Sequence, residues 1–272
     1  MPMARRTRTV TGTTITSTSS SSLAPGSTLL VIGACGGIGK AVADAARQAD
    51  ANVISMDLAS SFERRGMKSG PTNVPIDLLD ESSIKSAFAQ LVESGITLDS
   101  IAVCSGYTSG SDSIAAHDTD RFDNVLSGNL RGPVLAMREA VPLLNEGAAV
   151  VLLTTAIGQV GAQGYAAYGA AKAGLNAITR ILAAELAPSV RVNGLAPGAV
   201  DTAFIRGGYG AGAAEQGDPE RIDPVEYVKR VPLGRMANTD DIVGPVLFLL
   251  SNAARYITGQ VLHVNGGAFM RD

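Results

Sequence analysis

Tyr168 and Lys172 stand four residues apart, and Thr155 lies thirteen residues upstream of the tyrosine. On a helix, residues four apart project from one face, so a phenol and an ammonium in this pattern converge on one small volume. A free tyrosine loses its proton at about pH 10, too high for efficient acid–base work near neutrality, and a neighbouring positive charge lowers that value. The pair has the makings of a tuned proton donor, and the Thr155 hydroxyl can hydrogen-bond beside it. The same spacing is also frequent on ordinary helix surfaces. What the pair does depends on what the other elements bring in front of it.

A glycine-rich turn near the start of the chain supplies a candidate. Gly33, Gly37 and Gly39, with Cys35 and Ile38 among them, separate an apolar run over 29–32 from a helical run reaching about Ala49. Such a turn lets the backbone approach a pyrophosphate while the helix N-terminus offers free N–H groups. Asp57 ends the next strand, eighteen residues beyond Gly39. A carboxylate there accepts the ribose hydroxyls of an adenosine and repels a 2′-phosphate. No Lys or Arg lies inside the glycine turn and Leu58 follows Asp57, so NAD is favoured over NADP as the cofactor.

From Thr28 onward, short apolar runs alternate with helical segments, which predicts βαβ units around a parallel sheet. Strands are expected over 29–32, 52–56, 74–76, 101–104, 148–153, 190–195 and 260–264. Helices are expected after the glycine turn, from near Glu81, from Thr119 to Leu144, through Tyr168 and Lys172 to Leu186, and over 240–251. Seven strands alternating with helices and no compositional break make one α/β domain over 28–272, a doubly wound, Rossmann-like parallel sheet. One interval breaks the rhythm. The Gly- and Ala-rich insertion over 204–232 is long for a connection in a compact domain and is a candidate substrate lid.

Residues 1–27 hold Arg5, Arg6 and Arg8 followed by a Ser/Thr-rich run. They bury too little apolar surface to offset their ordering entropy, which predicts a disordered tail. Their acid-poor composition is also that of an organellar transit peptide, with a weak apolar face. A net charge of −3 without a basic stripe argues against a nucleic-acid partner. No apolar run reaches the roughly 18 residues that a membrane helix needs. The two cysteines, Cys35 and Cys104, form neither a disulfide framework nor a zinc spacing, which fits the cytoplasm, and no metal-ligand cluster is apparent. They end the first and fourth strands, neighbours in this fold's order, so a redox link between them is conceivable.

Taken together, the glycine turn, Asp57, Tyr168 and Lys172 resemble the short-chain dehydrogenase/reductase family in its single-domain form. The resemblance runs from about Thr28 to Ala268. Asp77 and Leu78 look like its adenine-contacting pair, and residues 191–198 with Val200 and Thr202 resemble the segment that holds the nicotinamide, including Pro197 and Gly198. Residues 256–267 resemble its last strand. Two departures stand out. The family's Asn-Asn-Ala-Gly segment is here Val103, Cys104, Ser105 and Gly106, and the catalytic serine is replaced by Thr155.

The resemblance implies an NAD-dependent oxidoreductase that interconverts a secondary alcohol and a ketone. Tyr168 would be the acid/base, Lys172 would lower its pKa and bind the nicotinamide ribose, and Thr155 would orient the substrate oxygen. Asn129 would hold, through its backbone carbonyl, a water linking Lys172 to solvent. A homotetramer is implied as well. On the substrate side, Ile157, Val160, Gln163, Tyr165, Ala199 and Phe204 are expected, with Ile205 and Tyr209 from the lid. These are mostly apolar and suit a neutral small molecule, although Arg206 could reach an acidic group. Two alternatives remain: an NADPH-dependent 3-oxoacyl-carrier reductase and a non-catalytic dinucleotide-binding regulator. His117 and His263 are read as structural.

Overall fold

In a computed structural model, residues 22–108, 113–206 and 222–270 are described. The apolar runs form β1 (Thr28–Ile32), β2 (Asn52–Asp57), β3 (Asn73–Pro75), β4 (Leu98–Val103), β5 (Leu144–Leu153), β6 (Arg191–Pro197) and β7 (Val261–Val264). They lie in one parallel sheet ordered β3-β2-β1-β4-β5-β6-β7. Strands such as Leu29–Ile32 are apolar throughout because both faces of the sheet are covered.

On one face pack α3 (Glu81–Glu93), α5 (Gly132–Ala140) and α6 (Ala166–Leu186), whose Ile84, Met137 and Leu175 share a core with β1 and β4. On the other, α1 (Gly37–Gln48) and α8 (Asp240–Leu250) bring Val42, Val246 and Leu249 against Leu29 and Val31. The chain runs outward from β1 to β3, then crosses back to β4. The strand order therefore reverses between β1 and β4, and a crevice opens beyond their carboxyl ends. The segments after β1, β4, β5 and β6 all meet there, which explains why site residues so far apart in sequence become neighbours.

Three expectations are corrected. The predicted helix from Thr119 to Leu144 is instead α4 (Thr119–Leu126), a π-helical turn over Ser127–Arg131, α5, and a 3-10 turn over Val141–Leu143. Pro133 has no N–H to give the Asn129 carbonyl four residues back, so the α-helical ladder loses a bond there, and the backbone just ahead widens into the π-helical turn. Leu144 opens β5, pairing with Leu98 ahead of a register shift. Leu23, inside the stretch expected to be tail, is buried against the α1 and α8 face. Residues 1–21 lie outside the described set, as do 207–221 of the insertion with Tyr209. Short helices absent from the sequence expectation are α2 (Ala59–Arg64) and, in the insertion, α7 (Pro224–Val228).

Candidate active site

The glycine turn is shaped by close approach. Gly33 has φ +83°, and a Cβ there would lie 2.6 Å from the Ser105 backbone nitrogen, so only glycine lets β1 and β4 end side by side. A Cβ on Gly39 would lie 2.1 Å from the Gly33 oxygen, which closes the turn onto the start of α1. That start carries no side-chain cap and no acidic residue in its first turn. Its N–H groups and positive dipole end are thus left to an anion in the cleft, a cradle that fits a pyrophosphate.

Asp57 lines the same cleft at the end of β2. Its Oδ2 accepts the Cys35 N–H at 2.8 Å and its Oδ1 accepts the Leu58 N–H at 2.8 Å, which fixes the carboxylate's orientation. Cys35 itself is buried and absent from the cleft wall, so its contribution there is its backbone. The sequence shows no cation inside the glycine turn or directly after Asp57, but the fold brings one to the cleft from further along the chain. α2 folds back after β2 and brings Arg64 into the cleft lining, donating to Ser61 Oγ at 3.1 Å, while Arg65 donates to the Cys35 carbonyl at 2.8 Å. The signal was the short helical run after Leu58. Asp77 and Leu78 line the cleft as expected.

Across the cleft, the buried face of α6 carries Tyr168, Lys172, Leu175, Asn176, Thr179 and Ala183 at helical spacing. The pair expected to do chemistry therefore lies on the packed side, not on the surface, with Tyr168 8% and Lys172 2% exposed. Lys172 Nζ sits 5.8 Å from the Tyr168 ring centroid and donates to the carbonyls of Leu153 at 2.9 Å and Ser105 at 3.2 Å. Burial pushes its pKa down from 10.5 to about 8. The turn after β5 rests on α6, since a Cβ at Gly158 would lie 3.0 Å from the Lys172 carbonyl carbon. Thr155, which caps that turn, consequently lines the cleft wall shared by Tyr168 and Lys172.

Asn129 is fully buried behind this wall and does not line the cleft. Its side chain donates to the Tyr107 carbonyl at 2.8 Å and the Val125 carbonyl at 2.9 Å and accepts the Tyr107 N–H at 3.1 Å. It thereby braces the loop after β4, where the family's asparagine pair is missing. Gly106 in that loop sits close against both side chains, since a Cβ there would lie 3.1 Å from Lys172 Nζ and 3.2 Å from Asn129 Oδ1. Cys104 also lines the cleft, and burial pushes its thiol up to about 12 despite Lys172 nearby. Burial, followed by the Asp57 carboxylate, pushes Cys35 up to about 12 as well, and both thiols are free.

The cleft encloses about 820 Å³ and continues along Ile157, Val160, Gln163, Tyr165, Pro197, Gly198, Ala199, Val200, Thr202, Phe204 and Ile205, all anticipated. The Phe204 ring packs on Tyr168 with centroids 5.7 Å apart. Missed were Tyr107, Asn265 and Phe269, which come from loops and the chain end without a periodic signature, and Tyr227 on the short helix α7. His263 reaches Gln159 Oε1 at 3.2 Å and stacks edgewise on Phe269, and His117 stacks edgewise on Phe122. Among the described residues, no group of three or more His, Cys, Asp or Glu could hold a metal ion, and no helix is long and apolar enough to cross a membrane.

A crevice at a topological switch point, an open helix N-terminus and a buried tyrosine–lysine pair define a dinucleotide-type oxidoreductase architecture. A family model described as enoyl-(acyl carrier protein) reductase matches residues 33–268. The 3-oxoacyl-[acyl-carrier-protein] reductase FabG of Rickettsia felis is 32% identical over 251 residues, 90% of this chain and 98% of the relative. FabG of Aquifex aeolicus is 31% identical over 259 residues, with the same coverage of 90% and 98%. A crystal structure of a Brucella melitensis short-chain dehydrogenase/reductase titled glucose/ribitol dehydrogenase superposes with TM-score 0.78 at 27% identity, covering 91% of this chain and 98% of that one. The chain belongs to the short-chain dehydrogenase/reductase family, and it is an oxidoreductase of that type.

Proposed function

We propose that the protein is an NAD-linked oxidoreductase interconverting a secondary alcohol and a ketone. The observation that carries this is the convergence of Tyr168, Lys172 and Thr155 on one wall of a cleft whose other end holds the glycine turn and Asp57. The dinucleotide, when bound, supplies or accepts the hydride. Gly33, Ile38, Gly39 and the first turn of α1 hold its phosphates, Asp57 its adenosine ribose, and residues 197–202 its nicotinamide end. Tyr168 gives a proton to the substrate oxygen in reduction and takes it back in oxidation. The Lys172 ammonium stabilises the phenolate, and Thr155 hydrogen-bonds the same oxygen as charge develops on it. Asn129 acts from behind, through a carbonyl that Pro133 cannot engage.

A second reading is favoured by two observations. The relatives named above are 3-oxoacyl-[acyl-carrier-protein] reductases, and Arg64 at the cleft edge offers a cation to a 2′-phosphate. On this reading the cofactor is NADPH and the substrate a 3-oxoacyl thioester. Nicotinamide absorbance, followed with each cofactor over secondary alcohols, ketones and 3-oxoacyl thioesters, separates the two. Turnover with NAD on simple alcohols supports the first reading, whereas strict NADPH use on thioesters supports the second. The family resemblance also leads us to propose a cytoplasmic homotetramer.

A further inference from the structure

α7 contributes Glu226 and Tyr227 to the cleft lining. Asp223 caps this helix, its Oδ1 accepting the N–H groups of Val225 at 2.8 Å and Glu226 at 3.3 Å, and the resulting orientation leaves Val225 exposed while Tyr227 turns inward. The Tyr227 hydroxyl accepts the Ala199 N–H at 2.9 Å. The fit is tight, because a Cβ on Gly198 would lie 2.6 Å from that hydroxyl and 3.1 Å from Asn265 Cβ. The Gly198 N–H in turn donates to the Val264 carbonyl at 3.0 Å. The end of β6, the end of β7 and α7 therefore meet at Gly198 and Ala199. Further along, the Leu233 N–H donates to the Gly266 carbonyl at 3.1 Å, which ties the same segment to the turn after β7.

We infer that Tyr227 is a positioning residue that couples the seating of α7 to the conformation of the turn over 197–200, so that dinucleotide binding and α7 docking share one equilibrium. The inference deepens the function proposed above, since it takes that turn to hold the nicotinamide end. A hydroxyl that fixes a backbone N–H beside Pro197 and Gly198 sets the shape of the surface they offer. Losing it leaves Ala199 without its acceptor and lets both partners relax apart.

Tyr227→Phe keeps the ring and removes only this hydrogen bond. Fluorescence titration with NADH and NADPH should show the tighter-binding cofactor weakened about fivefold to tenfold, the effect of one lost hydrogen bond. Hydrogen exchange over 223–231, slowed by that cofactor in the wild type, should lose most of its protection while the thermal midpoint stays near the wild-type value. Unchanged affinity and unchanged protection would overturn the inference. Should Tyr227→Phe not fold, Asp223→Ala uncaps α7 with Tyr227 in place and should weaken binding in the same direction; wild-type affinity there overturns it equally. Failure of the wild type to bind either cofactor would instead refute the proposed function, and this coupling with it.

Discussion

Lys172 is the residue whose environment makes the sharpest demand. Its folded pKa of about 8 lies below the ordinary 10.5, so the unfolded chain binds more protons between those values and stability from this group rises with pH across that window. Urea unfolding of the wild type and Lys172→Met should show the difference in stability shifting towards the wild type from pH 7 to pH 10, by on the order of a few kcal/mol. A difference that stays flat would mean the ammonium is solvated. At the adenosine end, Asp57→Ser should raise NADP(H) affinity relative to NAD(H), and Arg64→Ala should weaken NADP(H) alone. Equal loss for both cofactors in Arg64→Ala would remove its role at a 2′-phosphate. Asp57 was legible because it ends a strand at a fixed distance from the glycines. Arg64 was not, because its approach depends on how α2 folds back.

At the scale of elements, the glycine turn is the joint on which β1, β4 and α1 meet. Gly39→Ala must push a methyl into the Gly33 carbonyl and should lower the thermal midpoint by about 3–10 °C, the range for overpacking a domain of this size. An unchanged midpoint in calorimetry would show that α1 can retreat without cost. The strands and α6 were readable because apolar runs and helical spacing dominate them. The 119–144 stretch was misread because its apolar pattern is continuous while Pro133 and Pro142 act on the backbone, and pattern alone does not say whether a proline ends, kinks or widens a helix. Asn129 was recognised by position, yet its bracing of Tyr107 could emerge only once the loop after β4 was in place.

Across the whole molecule, the strand order matters more than any motif, since it brings four strand ends to one crevice. Alternation of strands and helices predicted that architecture, and the right-handed crossover habit leaves few other topologies. Exposed apolar side chains remain on the outside, Ile181 on α6 and Leu262 on β7 among them, with Tyr256 ahead of β7 fully exposed. Light scattering should give about four times the 27.8 kDa chain mass if these faces pair as the homotetramer requires, and a monomer mass would contradict that assembly. The most direct test of the account concerns Tyr168. The Tyr168→Phe variant should bind the preferred dinucleotide within about twofold of the wild type and lose most of kcat, about a hundredfold or more, as removal of a general acid does. Turnover close to the wild-type rate in that variant would contradict the assignment of the proton to Tyr168.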